Sequence, residues 1–184
     1  MGRRYKLFFL ITLTCILVHI GIITQVSYAA KPLQLKAVFL INFMKLTKWP
    51  SQGDKFEIGI YKNKTFADIL EGVLSGKKIQ GKNVEVLKAE DASQFSTCHV
   101  VFVSKNATGE LEDVFARIGA LGNNPAKLTI GETADDSFIK SGGIINFVEQ
   151  EGKIKFNVNL VPAKDKGLIL SAKLLRLALN VVKQ

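Results

Sequence analysis

Leu35, Val38, Phe39, Phe43 and Leu46 recur at the spacing that stripes one face of a helix. Pro32 suits its first turn and Trp49-Pro50 closes it. The pattern then shortens to a strand over Phe56–Tyr61 and lengthens again to a helix around Phe66–Leu74, where Phe66, Ile69, Leu70 and Val73 share a face. Val84–Leu87 predicts a second strand. Cys98–Val103 is apolar almost without interruption, as expected of a central parallel strand buried on both faces. Glu110–Ala120 carries Leu111, Val114, Phe115 and Ile118 on one stripe, with acids in the first turn where the helix dipole favours them. Asn123-Asn124-Pro125 reads as a loop, Leu128–Ile130 as a short strand, and Ala134–Ser141 as a polar loop or a brief helical turn.

The final third predicts its own register. Gly143–Gln150 and Lys153–Leu160 are two strand-like runs separated by Glu151-Gly152, a two-residue hairpin turn. Pairing Gln150 with Lys153 sets Phe147 opposite Phe156 and Ile145 opposite Val158, and places Asn146 opposite Asn157 on the other face. After Pro162 and Gly167, Ser171 is a helix N-cap, followed by Leu174, Leu175, Ala178 and Val182 on one face of a last helix. The expected fold is α/β: a mostly parallel sheet flanked by helices on both faces, with a C-terminal antiparallel hairpin and a final helix.

The ends of the chain alter the picture. Arg3, Arg4 and Lys6 precede an uncharged run from Leu7 to Val26, then Ser27-Tyr28-Ala29. That order is the layout of a signal peptide cut after Ala29, giving residues 1–29 as leader and 30–184 as a single domain in the periplasm. A retained anchor is the competing reading, because the run is long enough to span roughly 30 Å of hydrocarbon. Cleavage removes three cations and lowers the formal charge from +9 to +6. Cys98 is then the sole cysteine, so no intramolecular disulfide forms, and its apolar setting favours a small buried side chain.

Candidate chemistry is sparse. His99, the only histidine beyond the leader, follows Cys98 on a strand, so the two side chains point to opposite faces and form no dyad. One His and one Cys cannot supply a metal centre. Ser141-Gly142-Gly143 leads into a strand rather than onto a helix, so it is no phosphate cradle. Lysines are dispersed and export separates the chain from nucleic acid. The residues therefore point to a binding protein without catalytic, cofactor or metal residues. Candidate contact positions are Trp49, an aromatic at a helix end with partial exposure expected; Glu132, at the carboxyl edge of a short strand; and Asn146, Asn157 and Asn159 on the polar face of the hairpin. Core packing, an exposed loop acid and loop-bracing amides are the respective alternatives.

Taken in order, Ala37-Val38-Phe39-Leu40-Ile41-Asn42-Phe43 with Trp49-Pro50, Thr129-Ile130-Gly131-Glu132, Gly142-Gly143-Ile144-Ile145-Asn146-Phe147-Val148, Lys155-Phe156-Asn157-Val158-Asn159-Leu160 and Leu170-Ser171-Ala172-Lys173-Leu174-Leu175-Arg176-Leu177-Ala178 resemble the YfiR family. The resemblance implies a periplasmic protein, frequently a homodimer, that represses a membrane diguanylate cyclase through its sensor region and so bears on biofilm signalling. Some members carry cysteine pairs that tie activity to redox state, which the lone Cys98 puts in doubt. The alternative is a small-molecule-binding module acting with a sensor kinase or an outer-membrane receptor.

Overall fold

The computed structural model describes residues 31–50, 53–122 and 125–183; the leader reading lies outside them. A helix over residues 31–45 (α1) is followed by Thr47–Lys48 (β1), Lys55–Tyr61 (β2), Lys64–Leu74 (α2), Asn83–Ala89 (β3) and Val100–Val103 (β4). Then come Leu111–Ala120 (α3), Leu128–Gly131 (β5), Ser137–Lys140 (α4), Ile145–Gln150 (β6), Lys153–Asn159 (β7), Leu160–Asp165 (α5), Ile169–Leu170 (β8), Ala172–Leu177 (α6) and Asn180–Val182 (β9). Seven strands form one sheet in the order β3-β2-β4-β5-β6-β7-β9, parallel from β3 to β6. β7 runs antiparallel to β6, and β9 lies parallel to β7.

Two cores explain the layers. On one face Leu40, Phe43, Met44, Phe66 and Leu70 from α1 and α2 pack on Ile58, Phe102, Ile130, Phe147 and Phe156. On the other, Leu111, Val114 and Ile118 of α3 join Phe95, Cys98, Val101 and Phe138. All four residues of β4 are buried, as its unbroken apolar run requires. The fold is the expected α/β sheet with helices on both faces.

The hairpin has the register read from its sequence: Ile145 pairs with Val158, Asn146 with Asn157, Phe147 with Phe156 and Gln150 with Lys153. Glu151 and Gly152 both have positive φ, at 52° and 68°, the turn whose twist matches the strands.

Three expectations are corrected. The buried stripe of α1 is Ala37, Leu40, Ile41 and Met44 with Phe43, whereas Leu35 and Val38 remain 45% and 46% exposed. The last helix stops at Leu177, because residues 180–182 gain strand hydrogen bonds beside β7; Ala178 and Val182 therefore lie outside it. Leu160, expected as the end of a strand, instead begins a helix over residues 160–165. Asn159 caps it, its side-chain oxygen accepting from the Val161 N–H at 3.1 Å, and Pro162 falls in the first turn, where its missing N–H costs nothing.

Phe138 of α4 covers the sheet so closely that Gly131 and Gly143 have no room for a β-carbon beside its ring. Gly131→Ala is expected to destabilise the protein by about 1–3 kcal/mol through overpacking, read as a lower urea midpoint at unchanged slope.

Candidate functional site

β2, β4 and β5 end side by side at Tyr61, Val103 and Gly131, so the residues that follow them converge at one edge of the sheet. Glu132 leaves β5 there with its side chain only 3% exposed. Its Oε2 accepts from Lys36 Nζ at 2.5 Å, and its Oε1 accepts from the Lys105 N–H at 3.1 Å and weakly from the Ser104 hydroxyl at 3.4 Å. A buried carboxylate is tolerable only when charge and hydrogen bonds replace water. The Lys36 amine enters from α1 and lies 6.0 Å from the centre of the Phe147 ring. The pair thus fastens the first helix to the carboxyl edge, 96 residues away in sequence.

Beside it opens a crevice of about 360 Å³, bordered by Pro32, Lys36, Lys105, Glu132, Asp135 and Glu149. That is the size of a small-ligand pocket, and its rim carries both signs of charge. Such a lining can hold a compact polar or zwitterionic molecule.

The three asparagines shape this edge from beneath. Asn146 is fully buried; its Oδ1 accepts from the Thr133 N–H at 2.9 Å, and its Nδ2 donates to the carbonyls of Thr133 and Asp135 at 3.0 and 3.2 Å. Asn157 Nδ2 donates to Asp136 Oδ1 at 3.4 Å, while its Oδ1 accepts from Asn180 Nδ2 at 3.3 Å. Asn159 donates to the Ile139 carbonyl at 3.3 Å as well as capping α5. These amides brace the loop after β5 and the α4 turn.

Trp49 is the clear correction. It is 5% exposed rather than partly open, packed 5.3 Å from the Phe56 ring centre, with Nε1 directed at the Met44 carbonyl at 3.4 Å. Pro50 ends the segment, but pairing of Thr47 with Leu170 turns the chain inward first. Lys36, which the sequence reading passed over, did leave a signal: it is the only charged residue between positions 32 and 44.

Cys98 and His99 do face opposite sides. Cys98 sits in the α3 core, where burial pushes its thiol up to about 12, so it stays protonated. His99 packs against Phe56 and Trp49 on the other face, and its Nδ1 accepts from the Glu57 N–H at 3.3 Å. Among the described residues no group of three His, Cys, Asp or Glu gathers as a metal site, and no helix is long and apolar enough to cross a membrane.

A model of the YfiR/HmsC-like family matches residues 33–179, which include every strand but β9 and all of the crevice lining but Pro32. The chain belongs to that family. YfiR/HmsC-like proteins are periplasmic regulators of diguanylate cyclases rather than enzymes. No curated protein matches the chain in sequence. Among solved structures, a conserved domain protein of Vibrio cholerae is similar, with 12% identity and a TM-score of 0.57, over 82% of this chain and 60% of that one. An ABC domain from Streptococcus pneumonia, solved in complex with L-Trp, has 12% identity and a TM-score of 0.52, over 77% and 59%. This YfiR/HmsC-like chain thus spans less than two thirds of either, and at such identity the likeness is one of fold.

Removing one member of the clamp leaves the other buried without its counter-charge. Lys36→Met and Glu132→Gln are each expected to cost about 1–3 kcal/mol, while the double variant costs less than their sum, measured as a coupling energy in a urea double-mutant cycle. His99 gives a pH signature. Burial holds its imidazole below the usual 6.5, outweighing the opposing pull of Glu57, and Lys127 and Lys82 act in the same direction as burial. The folded state therefore prefers neutral His99, and stability present above pH 6.5 falls as the solution is acidified through that value. Thermal melts at stepped pH should show this loss, and His99→Gln should flatten it.

Proposed function

We propose that this protein represses a membrane diguanylate cyclase by binding its periplasmic sensor region, so that cyclic di-guanylate falls when the two are joined. The family match over residues 33–179 is the observation that carries the reading. The charge-then-apolar order of residues 3–26, ending in small residues before Ala30, supports export to the compartment where that region lies. The packing supports a binding role too: the buried polar side chains Glu132 and Asn146 have their hydrogen bonds committed to holding the scaffold. A homodimer is the expected assembly.

A second reading rests on the crevice. A small zwitterion seated between Lys36, Lys105 and Asp135, with Glu132 beneath it and Asn146, Asn157 and Asn159 holding the walls, would act as the signal that alters repression. The related fold solved with L-Trp makes that amino acid a sensible first probe.

Deletion of the gene is expected to raise cyclic di-guanylate severalfold. The full chain should restore the low level, with the exported product beginning at Ala30, whereas a chain without residues 1–29 should not. Unchanged cyclic di-guanylate in the deletion strain rejects repression. For the ligand reading, L-tryptophan at about 100 times its dissociation constant should add roughly 2.7 kcal/mol of stability; an unmoved melting temperature counts against it.

A further inference from the structure

α1 carries more apolar surface than the sheet covers. Ala37, Leu40, Ile41 and Met44 meet the sheet, yet Leu35 and Val38 project from the opposite side. Phe39 lies between the two, its ring centre 6.0 Å from that of Phe43 and 5.9 Å from that of Phe156. Next to α1 runs α6, and a groove of about 270 Å³ separates them. Phe43, Phe156 and Leu174 form its floor, with Phe39, Leu46 and Leu177 along its walls. Leu177 and Leu179 are 58% and 42% exposed.

The groove is preformed. The Ser171 N–H donates to the Leu46 carbonyl at 2.9 Å, Thr47 pairs with Leu170, and the Leu179 N–H donates to the Phe156 carbonyl at 2.8 Å. Both walls are therefore tied to each other and to the hairpin. Their charge is of one sign. Residues 31–50 contain Lys31, Lys36, Lys45 and Lys48 and no acid; residues 166–183 contain Lys166, Lys173, Arg176 and Lys183 and again none. Lys45 and Lys173 line the groove itself.

We propose that the α1/α6 groove is the docking surface for an acidic amphipathic helix of a partner protein. Apolar side chains spaced three and four residues apart seat between Phe39 and Leu177, and carboxylates on the helix flanks meet Lys45, Lys173 and Arg176. A second copy of this chain fits poorly, because a two-fold contact would set these cations against their own copies. A flat anionic bilayer would match the charge but leave the concave floor unfilled. The inference rests on the proposed repression and names the surface through which it is exerted.

A photo-crosslinking amino acid placed at Leu177 of the full chain in its own cell envelope tests the occupant. The expected adduct joins Leu177 to an acidic, helix-patterned peptide in the periplasmic region of a diguanylate cyclase. Adducts confined to a second copy or to lipid overturn the proposal, as does the absence of any adduct while repression persists. Lys45→Glu with Lys173→Glu supplies an independent arm, since both side chains are exposed and the melting temperature should stay unchanged. Binding to the cyclase region should weaken about tenfold or more and cyclic di-guanylate should rise to the deletion level. If deletion raises cyclic di-guanylate but this variant represses normally, the groove assignment fails while repression stands. If deletion changes nothing, repression itself is rejected and the groove assignment with it.

Discussion

The seating of α1 on the β6–β7 hairpin is the contact on which the remaining features depend. Phe43 meets Phe156 edge to face at 4.8 Å and Phe147 at 5.5 Å, while Phe39 lies within about 6 Å of all three rings. Aromatic pairs at these separations contribute roughly 0.5–1.5 kcal/mol each beyond the area they bury. The four rings come from two segments more than a hundred residues apart, so they close the sheet's last parallel strand and first antiparallel one under a single helix. Once α1 is seated, Lys36 reaches Glu132 and Leu46 accepts from Ser171. Crevice and groove are both consequences of that placement.

The hairpin was legible in the sequence because three independent constraints agree there. Alternation has a period of two, the Glu151-Gly152 turn fixes the loop length, and a shift of one residue would have turned Phe147 and Phe156 to the polar face. β4 was legible for a simpler reason: no polar residue interrupts Val100–Val103. α1 was legible as a helix but not in its orientation. Leu35, Val38 and Phe39 form as good a stripe as Ala37, Leu40 and Ile41, and periodicity cannot choose between two apolar faces. The choice is made by what the sheet offers, namely a bed of aromatic rings that small Ala37 allows the helix to approach closely.

The candidate site was legible only in part, because its residues are defined by partners distant in sequence. Glu132 could be assigned to the carboxyl edge from its place after a short strand, but burial and ion pairing require Lys36, which belongs to another element. Asn146, Asn157 and Asn159 were placed on one polar face correctly. That the four-residue α4 covers this face, converting contact candidates into braces, depends on Phe138 fitting against two glycines, and no local pattern reports it. Trp49 misled for a related reason: a helix end beside proline suggests exposure, whereas the two-residue pairing of β1 with β8 returns the chain to the core.

α1 contributes side chains to both surfaces. Lys36 on its crevice side and Phe39, Asn42 and Leu46 on its groove side lie within three turns of one helix. A molecule bound in the crevice can influence the groove only by the difference in its affinity for two placements of that helix. The Lys36–Glu132 pair would be the contact through which such a preference is expressed, because competing for Lys36 leaves the buried Glu132 carboxylate without its counter-charge. The aromatic bed opposes the movement, since sliding α1 would separate rings now packed at 4.8 to 6.0 Å. Were the proposed crevice ligand to control partner binding, it would set one ion pair at the carboxyl edge against four rings behind it.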